Sequence, residues 1–191
     1  KLISSYIELI STLDMTQIRL PQDGRFALNI EDKKYDFRVS TMPTLEAESI
    51  VLRILDNKNI NKNLQTLGIS SNLFEILTQA LKLTQGLILI SGPTGSGKTT
   101  TLYSILQELN CEEKKIITVE DPIEYKIDSI CQIPINNKIG LSFELVLRNI
   151  LRQDPDIIFI GEIRDKFSLD IALQASLTGH LVIASIHANN A

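Results

Sequence analysis

Gly92-Pro-Thr-Gly-Ser-Gly-Lys-Thr99 is a glycine-rich segment from which the architecture of the whole chain can be inferred. It satisfies the pattern G-x-x-x-x-G-K-[ST] at every fixed position, between a predicted strand at 87–91 and a predicted helix from about Lys98. The glycines let backbone N–H groups approach phosphate oxygens, and the start of the helix adds its positive dipole end. We therefore predict a phosphate-binding loop in which Lys98 reaches the β- and γ-phosphates and Thr99 binds Mg²⁺. The residues expected to contact the nucleotide are Gly92, Pro93, Thr94, Gly95, Ser96, Gly97, Lys98, Thr99 and Thr100.

Around this loop, strands that are apolar on both faces alternate with helices. The predicted helices cover 71–83, 98–109, 142–152 and 167–177, and the predicted strands cover 86–91, 115–119, 157–160 and 181–186. This alternation predicts an α/β fold with a mainly parallel, doubly wound sheet. The guanine-reading pattern Asn-Lys-x-Asp is not found after the loop, which disfavours GTP, so the expected ligands are ATP and Mg²⁺.

The first part of the chain has a different pattern. Apolar residues at helical spacing predict a helix over 1–13, Pro21-Gln-Asp-Gly24 predicts a turn, 25–39 reads as a β-hairpin, and 50–55 as a further strand. The polar stretch 56–63 has no periodicity. We therefore predict a small α+β domain at 1–57, a linker at 58–63, and the α/β domain at 64–191.

The amino-acid composition excludes several classes of protein. The 191 residues carry 19 basic and 23 acidic side chains, a net charge of −4, with 43% apolar and 22% charged residues. These values exclude a disordered or collagen-like chain, and the apolar runs are too short to span a bilayer. Cys111 and Cys131 lack metal-site spacing, and the acidic balance disfavours a dedicated nucleic-acid binder. Because the first residue is not Met and no secretory signal is visible, we expect a fragment of a longer protein from a reducing compartment.

Acidic residues follow two of the predicted strands. Glu120 and Asp121 come directly after the strand at 115–119, and Glu162 follows the strand at 157–160, with Gly161 at the place where an aspartate is usual. The carboxyl ends of parallel strands lie at the edge where ligands bind. Each acid in isolation reads as a solvated loop residue, but together they predict that Glu120 and Glu162 join Thr99 as Mg²⁺ ligands and handle the attacking water.

Five ordered motifs carry a family resemblance. They are the loop within 91–103, Thr118-Val-Glu-Asp-Pro-Ile-Glu-Tyr125, Leu147-Arg-Asn-Ile-Leu-Arg-Gln-Asp-Pro-Asp156, Gly161-Glu-Ile-Arg-Asp165 and Thr178-Gly-His-Leu-Val182. Together they resemble the type II/type IV secretion ATPase superfamily, and within it the secretion ATPases and type IV pilus assembly ATPases. The resemblance implies a RecA-like P-loop core, truncated here after its histidine motif, and a homo-hexameric ring with active sites completed between domains or subunits.

The resemblance also implies residue roles. It assigns activation of water first to Glu162 and second to Glu120, and sensing of the γ-phosphate or Mg²⁺ to His187 and, less directly, His180. On the residues alone, His187 at a strand end reads as a structural histidine, and Gly179-His180 as the end of a helix.

Four arginines belong to the same expectation. Arg25 and Arg38 match arginines of the small domain that act as charge-stabilising fingers. Arg148 and Arg152 lie on one helix face. The resemblance implies that this face points toward the phosphates of the nucleotide. The other interpretation of that face is a solvated one, paired with nearby aspartates.

The function implied by the resemblance is an ATP-hydrolysing motor for type II secretion or for assembly of a type IV pilus or pseudopilus, acting in extension rather than retraction. The implied partner is an inner-membrane platform protein, which would hold the motor at the cytoplasmic face of a bacterial inner membrane, with no direct contact to nucleic acid. Two alternatives stay open: a RecA-type nucleic-acid motor or DNA-transfer ATPase, and a small-molecule kinase. A basic track with stacking aromatics would favour the former, but the chain has 5% aromatic residues and no Trp.

Overall fold

The computed structural model describes residues 2–31, 33–55 and 63–187, which form two compact units. One unit is Lys1–Asn59 and the other is Ile60–Ala191. This division falls within the predicted linker at 58–63, of which only Asn63 belongs to the described residues. None of the helices among the described residues is long and apolar enough to cross a membrane.

The first unit combines one helix with a three-stranded antiparallel sheet. Its helix is α1 (Leu2–Ile10), and its strands are β1 (Gln22–Ile30), β2 (Lys33–Pro43) and β3 (Glu48–Leu55), in the order β1-β2-β3. The ring of Phe26 stacks on the ring of Phe37 across the β1–β2 pair, with centroids 4.7 Å apart. The helix, the hairpin and the third strand are therefore confirmed, although the helix is shorter than its apolar pattern suggested.

The turn predicted at Pro21-Gln-Asp-Gly24 is wrong, because Gln22, Asp23 and Gly24 lie inside β1. Asp-Gly is a frequent turn pair when the glycine takes a positive φ, but here the glycine serves close packing. A Cβ added at Gly24 would lie 2.6 Å from the carbonyl oxygen of Ser11 and 2.7 Å from the Leu13 side chain. The segment after α1 thus lies against the strand where a side chain would otherwise be.

The second unit is a five-stranded parallel sheet with helices on both faces. The strands are β4 (Gly86–Gly92), β5 (Ile116–Glu120), β6 (Cys131–Pro134), β7 (Ile157–Ile163) and β8 (Leu181–His187), in the order β4-β8-β7-β5-β6. The helices are α2 (Ser71–Ala80), α3 (Lys98–Leu109), α4 (Phe143–Ile150) and α5 (Lys166–Leu177). The predicted α/β, doubly wound parallel fold is confirmed.

Alternate residues of the central strands pack into two separate hydrophobic cores, one on each face of the sheet. On β7, Phe159 packs with Leu102 and Leu106 of α3, whereas Ile158 and Ile160 pack with residues of α4 and α5. Because side chains alternate across a strand, a run of apolar residues is needed to cover both faces. This double burial explains why β5, β7 and β8 are rich in consecutive apolar residues, such as 157–160 and 181–184.

Two differences from the sequence prediction bear on the site. Strand β6 was missed, because Cys131-Gln-Ile-Pro134 is short and partly polar. Strand β7 continues past Ile160 to Ile163, with a register shift against β8 between those two residues. Gly and Glu are poor strand formers, so the apolar pattern ends before the strand does. Glu162 therefore lies within the irregular end of β7 rather than in a loop beyond it.

Candidate active site

The glycine-rich loop connects the end of β4 to the start of α3. Gly95 and Gly97 take φ values of +80° and +93°, which side-chain-bearing residues rarely adopt. Helix α3 begins at Lys98, and no side chain of the described residues caps it at Gly97. The first N–H groups of α3 thus point to a place where a phosphate can accept them.

A cavity of about 410 Å³ lies beside this loop, at the carboxyl ends of the parallel strands. It is bounded by the loop, the acidic segment after β5, the end of β7 and the end of β8. Most of the sequence-predicted site residues meet here. Those lining it are Thr94, Gly95, Gly97, Lys98, Thr99, Thr100, Glu120, Glu162 and His187.

Lys98 is folded back onto its own loop. Its Nζ donates to the carbonyl oxygens of Gly92, at 2.6 Å, and Pro93, at 2.9 Å, and lies 3.4 Å from His187 Nδ1. All three partners are neutral acceptors when the proton of His187 is on Nε2. The oxygens of a phosphate are anionic and form stronger bonds with an ammonium group than carbonyl oxygens do, so they can replace these partners.

A chain of charged side chains leads away from Lys98. His187 Nε2 lies 3.1 Å from Glu162 Oε1, and Arg164 Nε donates to the other oxygen of Glu162 at 2.7 Å. Arg164 Nη1 also reaches Asp121 Oδ2 at 3.3 Å, which ties the end of β7 to the segment after β5. The hydrogen bond to Glu162 raises the pKa of Arg164 above its usual value. Glu162 is thereby held in place while its side chain keeps 24% exposure.

Glu120 lies in a different environment, with only 3% of its surface exposed. Its carboxylate accepts hydrogen bonds from the hydroxyl of Tyr103, from Thr118 Oγ1 at 2.6 Å and from Gln132 Nε2 at 3.2 Å. Burial raises the pKa of Glu120, and these three donors partly oppose the rise. Glu120 is therefore firmly bonded on the cavity wall.

The arginines named from the sequence lie outside the set that lines the cavity. Arg148 pairs with Glu144 one turn away and lies over the ring of Phe167, 5.1 Å from its centroid. Arg152 donates to the side-chain oxygen of Asn149. Their predicted contact with phosphate stays a prediction.

Arg25 and Arg38 lie directly opposite each other on β1 and β2 of the first unit, and Arg53 of β3 continues the same row. The predicted finger role of Arg25 and Arg38 stays a prediction.

His180 also lies apart from the cavity. Its Nδ1 is 3.2 Å from the carbonyl oxygen of Ala175 in the last turn of α5, and Gly179 takes a positive φ of +96° before it. This position agrees with the simple interpretation of Gly179-His180 as a helix end.

The oxygen atoms around the cavity suit Mg²⁺. Within the described ranges, no group of three His, Cys, Asp or Glu side chains is arranged to hold a metal ion without other ligands. Mg²⁺ commonly takes one or two protein oxygens and completes its shell with phosphate oxygens and water. Thr99 and Glu162, with Glu120 behind them, offer such oxygens on one cavity, so the residues fit the ion.

Two residues of this site had no role in the sequence prediction. Tyr103 was only the last residue of the quoted loop motif 91–103, and Arg164 was part of the motif 161–165 without a function of its own. Their partners are 17 and 43 residues away in the chain, so no local periodicity reveals them. The only feature of the sequence that could have indicated a role for Arg164 was its position two residues after Glu162.

Comparison with known proteins defines the family. The family model described as "Type II/IV secretion system protein" matches residues 1–191. The chain belongs to this family. "Type II secretion system ATPase E" of Vibrio cholerae is 47% identical over 190 residues, covering 100% of this chain and 38% of that relative. The chain thus spans well under half the length of this relative.

Solved structures give the same fold. The ATPase DotB of Legionella pneumophila superposes with a TM-score of 0.77 at 29% identity, covering 98% of this chain and 54% of that one. The pilus retraction motor PilT with bound ADP superposes with a TM-score of 0.71 at 34% identity, covering 88% of this chain and 48% of that one. The RecA-like core expected from the resemblance is therefore shown.

Proposed function

We propose that this chain forms the ATP-hydrolysing part of a motor subunit that powers type II secretion or the assembly of a type IV pilus or pseudopilus. The observation that carries the proposal is the convergence of the glycine-rich loop, Lys98, Glu162 and His187 on one cavity. The names of similar proteins support a secretion or pilus motor, since one is called a type II secretion ATPase and another a pilus retraction motor with bound ADP. The choice of assembly over retraction rests on the sequence resemblance alone.

Binding of ATP begins with Lys98. Its Nζ leaves the carbonyl oxygens of Gly92 and Pro93 for the β- and γ-phosphates, while the N–H groups of the loop and of the first turn of α3 surround the same phosphates. His187 Nδ1 lies 3.4 Å from Lys98 Nζ, so movement of the lysine toward a nucleotide would remove this contact. We propose that His187 senses the γ-phosphate in this way.

Hydrolysis needs a carboxylate beside the attacking water. We assign this role to Glu162, which is partly exposed and held from both sides by His187 and Arg164. Thr99 and Glu162 would hold Mg²⁺, with Glu120 as a further candidate, and the ion would neutralise charge on the phosphates. Glu120 remains the second candidate for the base, disfavoured because its carboxylate already accepts three hydrogen bonds.

Assembly supplies what a single chain lacks. We propose a homo-hexamer in which Arg25, Arg38, Arg148 and Arg152 approach the nucleotide of the same or a neighbouring subunit. A positive side chain that arrives with domain movement stabilises charge in the transition state and links hydrolysis to motion. The moving ring would act on an inner-membrane platform protein at the cytoplasmic face of a bacterial membrane.

The test is the substitution Lys98→Ala in the full-length protein. Loss of the ammonium group removes the main positive charge of the loop, so ATP turnover is expected to fall below detection. Lys138→Ala, which removes an exposed lysine in the turn at Asn137–Ile139, is the matched control and should leave turnover unchanged. Near-normal turnover of the Lys98 variant, measured by phosphate release, would refute the proposed function.

A further inference from the structure

The hydroxyl of Tyr103 lies at the centre of a buried hydrogen-bond network. Tyr103 is 2% exposed and lies on α3, one turn beyond Thr99. Its hydroxyl donates to Glu120 Oε2 and accepts from the backbone N–H groups of Glu124, at 3.2 Å, and Tyr125, at 3.4 Å. A phenolic hydroxyl offers one donor and two acceptor positions, and all three are used here.

The same network continues through Glu120 into β6. Gln132 of β6 donates to Glu120 Oε1 and, at 2.8 Å, to the carbonyl oxygen of Tyr125, and it accepts from the N–H of Ile127 at 2.7 Å. The amide of Gln132 thus links the carboxylate of Glu120, at the end of β5, to Tyr125 and Ile127 beyond the acidic segment 120–124. Buried polar groups bonded this completely make a local structure rigid.

The ring of Tyr103 has its own packing, separate from its hydroxyl. It contacts Tyr125 and Phe159 edge to face, with centroid distances of 5.4 Å and 6.3 Å. A phenylalanine would keep both contacts, because only the oxygen differs. The contribution of the hydroxyl can therefore be measured without making a cavity.

From this geometry we propose that Tyr103 is a positioning residue, which fixes the acidic segment 120–124 relative to the phosphate-binding start of α3. The inference rests on the proposed function, because it concerns where those acids lie during ATP hydrolysis. Thr99 and Tyr103 are four residues apart on one helix, about 6 Å along its axis, so they move as one body. Helix α3, whose first turn is proposed to bind the phosphates, thus also positions the acidic residues of the segment 120–124. Small displacements of groups that act in a reaction can lower its rate strongly.

A purely structural tyrosine would behave differently. Loss of its hydroxyl would lower stability and leave the catalytic constant of the folded protein unchanged. A positioning tyrosine affects kcat, since the acidic segment shifts, while ATP affinity depends on the loop and Lys98 and stays the same. Measuring both kcat and the Kd of the nucleotide therefore distinguishes a positioning role from a purely structural one.

The experiment compares Tyr103→Phe with Tyr6→Phe in the full-length protein. Tyr6 lies on α1 with 60% exposure and provides the same chemical change at a place remote in sequence from the network. For Tyr103→Phe we expect kcat to fall about tenfold, with the Kd of a non-hydrolysable ATP analogue within about twofold of the parent, as for a lost buried hydrogen-bond partner. The parent and Tyr6→Phe should be equal in both quantities.

Hydrogen exchange tests the link without any turnover. The amides of Glu124 and Tyr125 lose their acceptor in Tyr103→Phe, so their exchange should become about three- to tenfold faster than in Tyr6→Phe. If Tyr103→Phe does not fold, Gln132→Leu removes another bond to Glu120 from the half-buried β6 and should change exchange at 121–127 and kcat in the same direction.

Equal kcat in Tyr103→Phe and Tyr6→Phe would overturn the proposal, and so would unchanged exchange at Glu124 and Tyr125. A parallel loss of kcat and analogue affinity would also overturn it, since the loop itself would then be disturbed. If the unsubstituted protein did not hydrolyse ATP, the proposed function would be refuted instead. The exchange measurement would still test whether Tyr103 holds the amides of Glu124 and Tyr125.

Discussion

Two glutamates at the carboxyl edge of one sheet have opposite environments. Glu120, the last residue of β5, is 3% exposed and accepts three hydrogen bonds from uncharged side chains. Glu162, near the end of β7, keeps 24% side-chain exposure and contacts the charged Arg164 and the titratable His187. Both side chains line the same cavity, so their difference comes from neighbours rather than from location.

The different environments of Glu120 and Glu162 suit them to different roles in the site. A carboxylate whose lone pairs are occupied by fixed donors serves well as an anchor but has little capacity for a water molecule. A carboxylate held by partly exposed side chains at the surface of a cavity can exchange a partner for water. We therefore propose that Glu162 acts on the attacking water and that Glu120 keeps the surrounding segment in place.

The substitution Glu162→Gln gives the largest expected difference between the two sites. It keeps the shape and the bond to Arg164 Nε but removes the basic oxygen, so kcat should fall about 100- to 10,000-fold, the range of a general base. Binding of ATP should persist, because Lys98 and the loop are unchanged. Phosphate release and equilibrium binding of a non-hydrolysable analogue measure the two quantities.

The matched control for this variant is Glu108→Gln, on the exposed side of α3. It makes the same chemical change outside the cavity and should leave kcat as it is. Hydrolysis retained by Glu162→Gln would transfer the role of base to Glu120 and reverse the division of work argued above.

The substitution Glu120→Gln has a smaller expected effect on kcat, about tenfold or less, and a distinctive effect on stability. Burial raises the pKa of Glu120 in the folded protein above its ordinary value of 4.5. The native state therefore keeps this proton to higher pH than the unfolded chain does, and it loses stability as pH rises from about 4.5 through the raised pKa. Glutamine does not titrate, so the stability of the parent relative to Glu120→Gln should decline over that interval.

The decline amounts to about 1.4 kcal/mol for each unit by which the two pKa values differ. Urea unfolding of both proteins across this pH range measures it. A parent whose stability relative to Glu120→Gln is constant or increases with pH would show that Glu120 is not destabilised by burial.

Sequence could predict the parts of this site that depend on short motifs. The loop at 92–99 and the order of strands and helices follow from glycine placement and apolar periodicity, and the fold agrees with both. The contrast between Glu120 and Glu162 was not predictable, because Tyr103, Gln132 and Arg164 become partners only through packing of separate elements. Gly24 shows the same limit, since its role depends on the approach of Ser11.

The smallest expected effect concerns Gly161 of β7, which lies against the end of β5. A Cβ at this position would lie 3.2 Å from the carbonyl oxygen of Val119, so in Gly161→Ala that backbone must give by a few tenths of an ångström, while Glu120 Cγ at 3.5 Å is in ordinary contact. We expect a loss of about 1–2 kcal/mol from overpacking and a two- to fivefold decrease in kcat, because the shift moves the end of β5, which carries Glu120. Gly68→Ala is the control: it has open space but a positive φ of +74°, so it should lose comparable stability through backbone strain and keep its kcat. Thermal unfolding and phosphate release on both variants measure these effects. Equal kcat values in the two variants would mean that Glu120 can move without consequence, and the anchoring role assigned to it would be wrong.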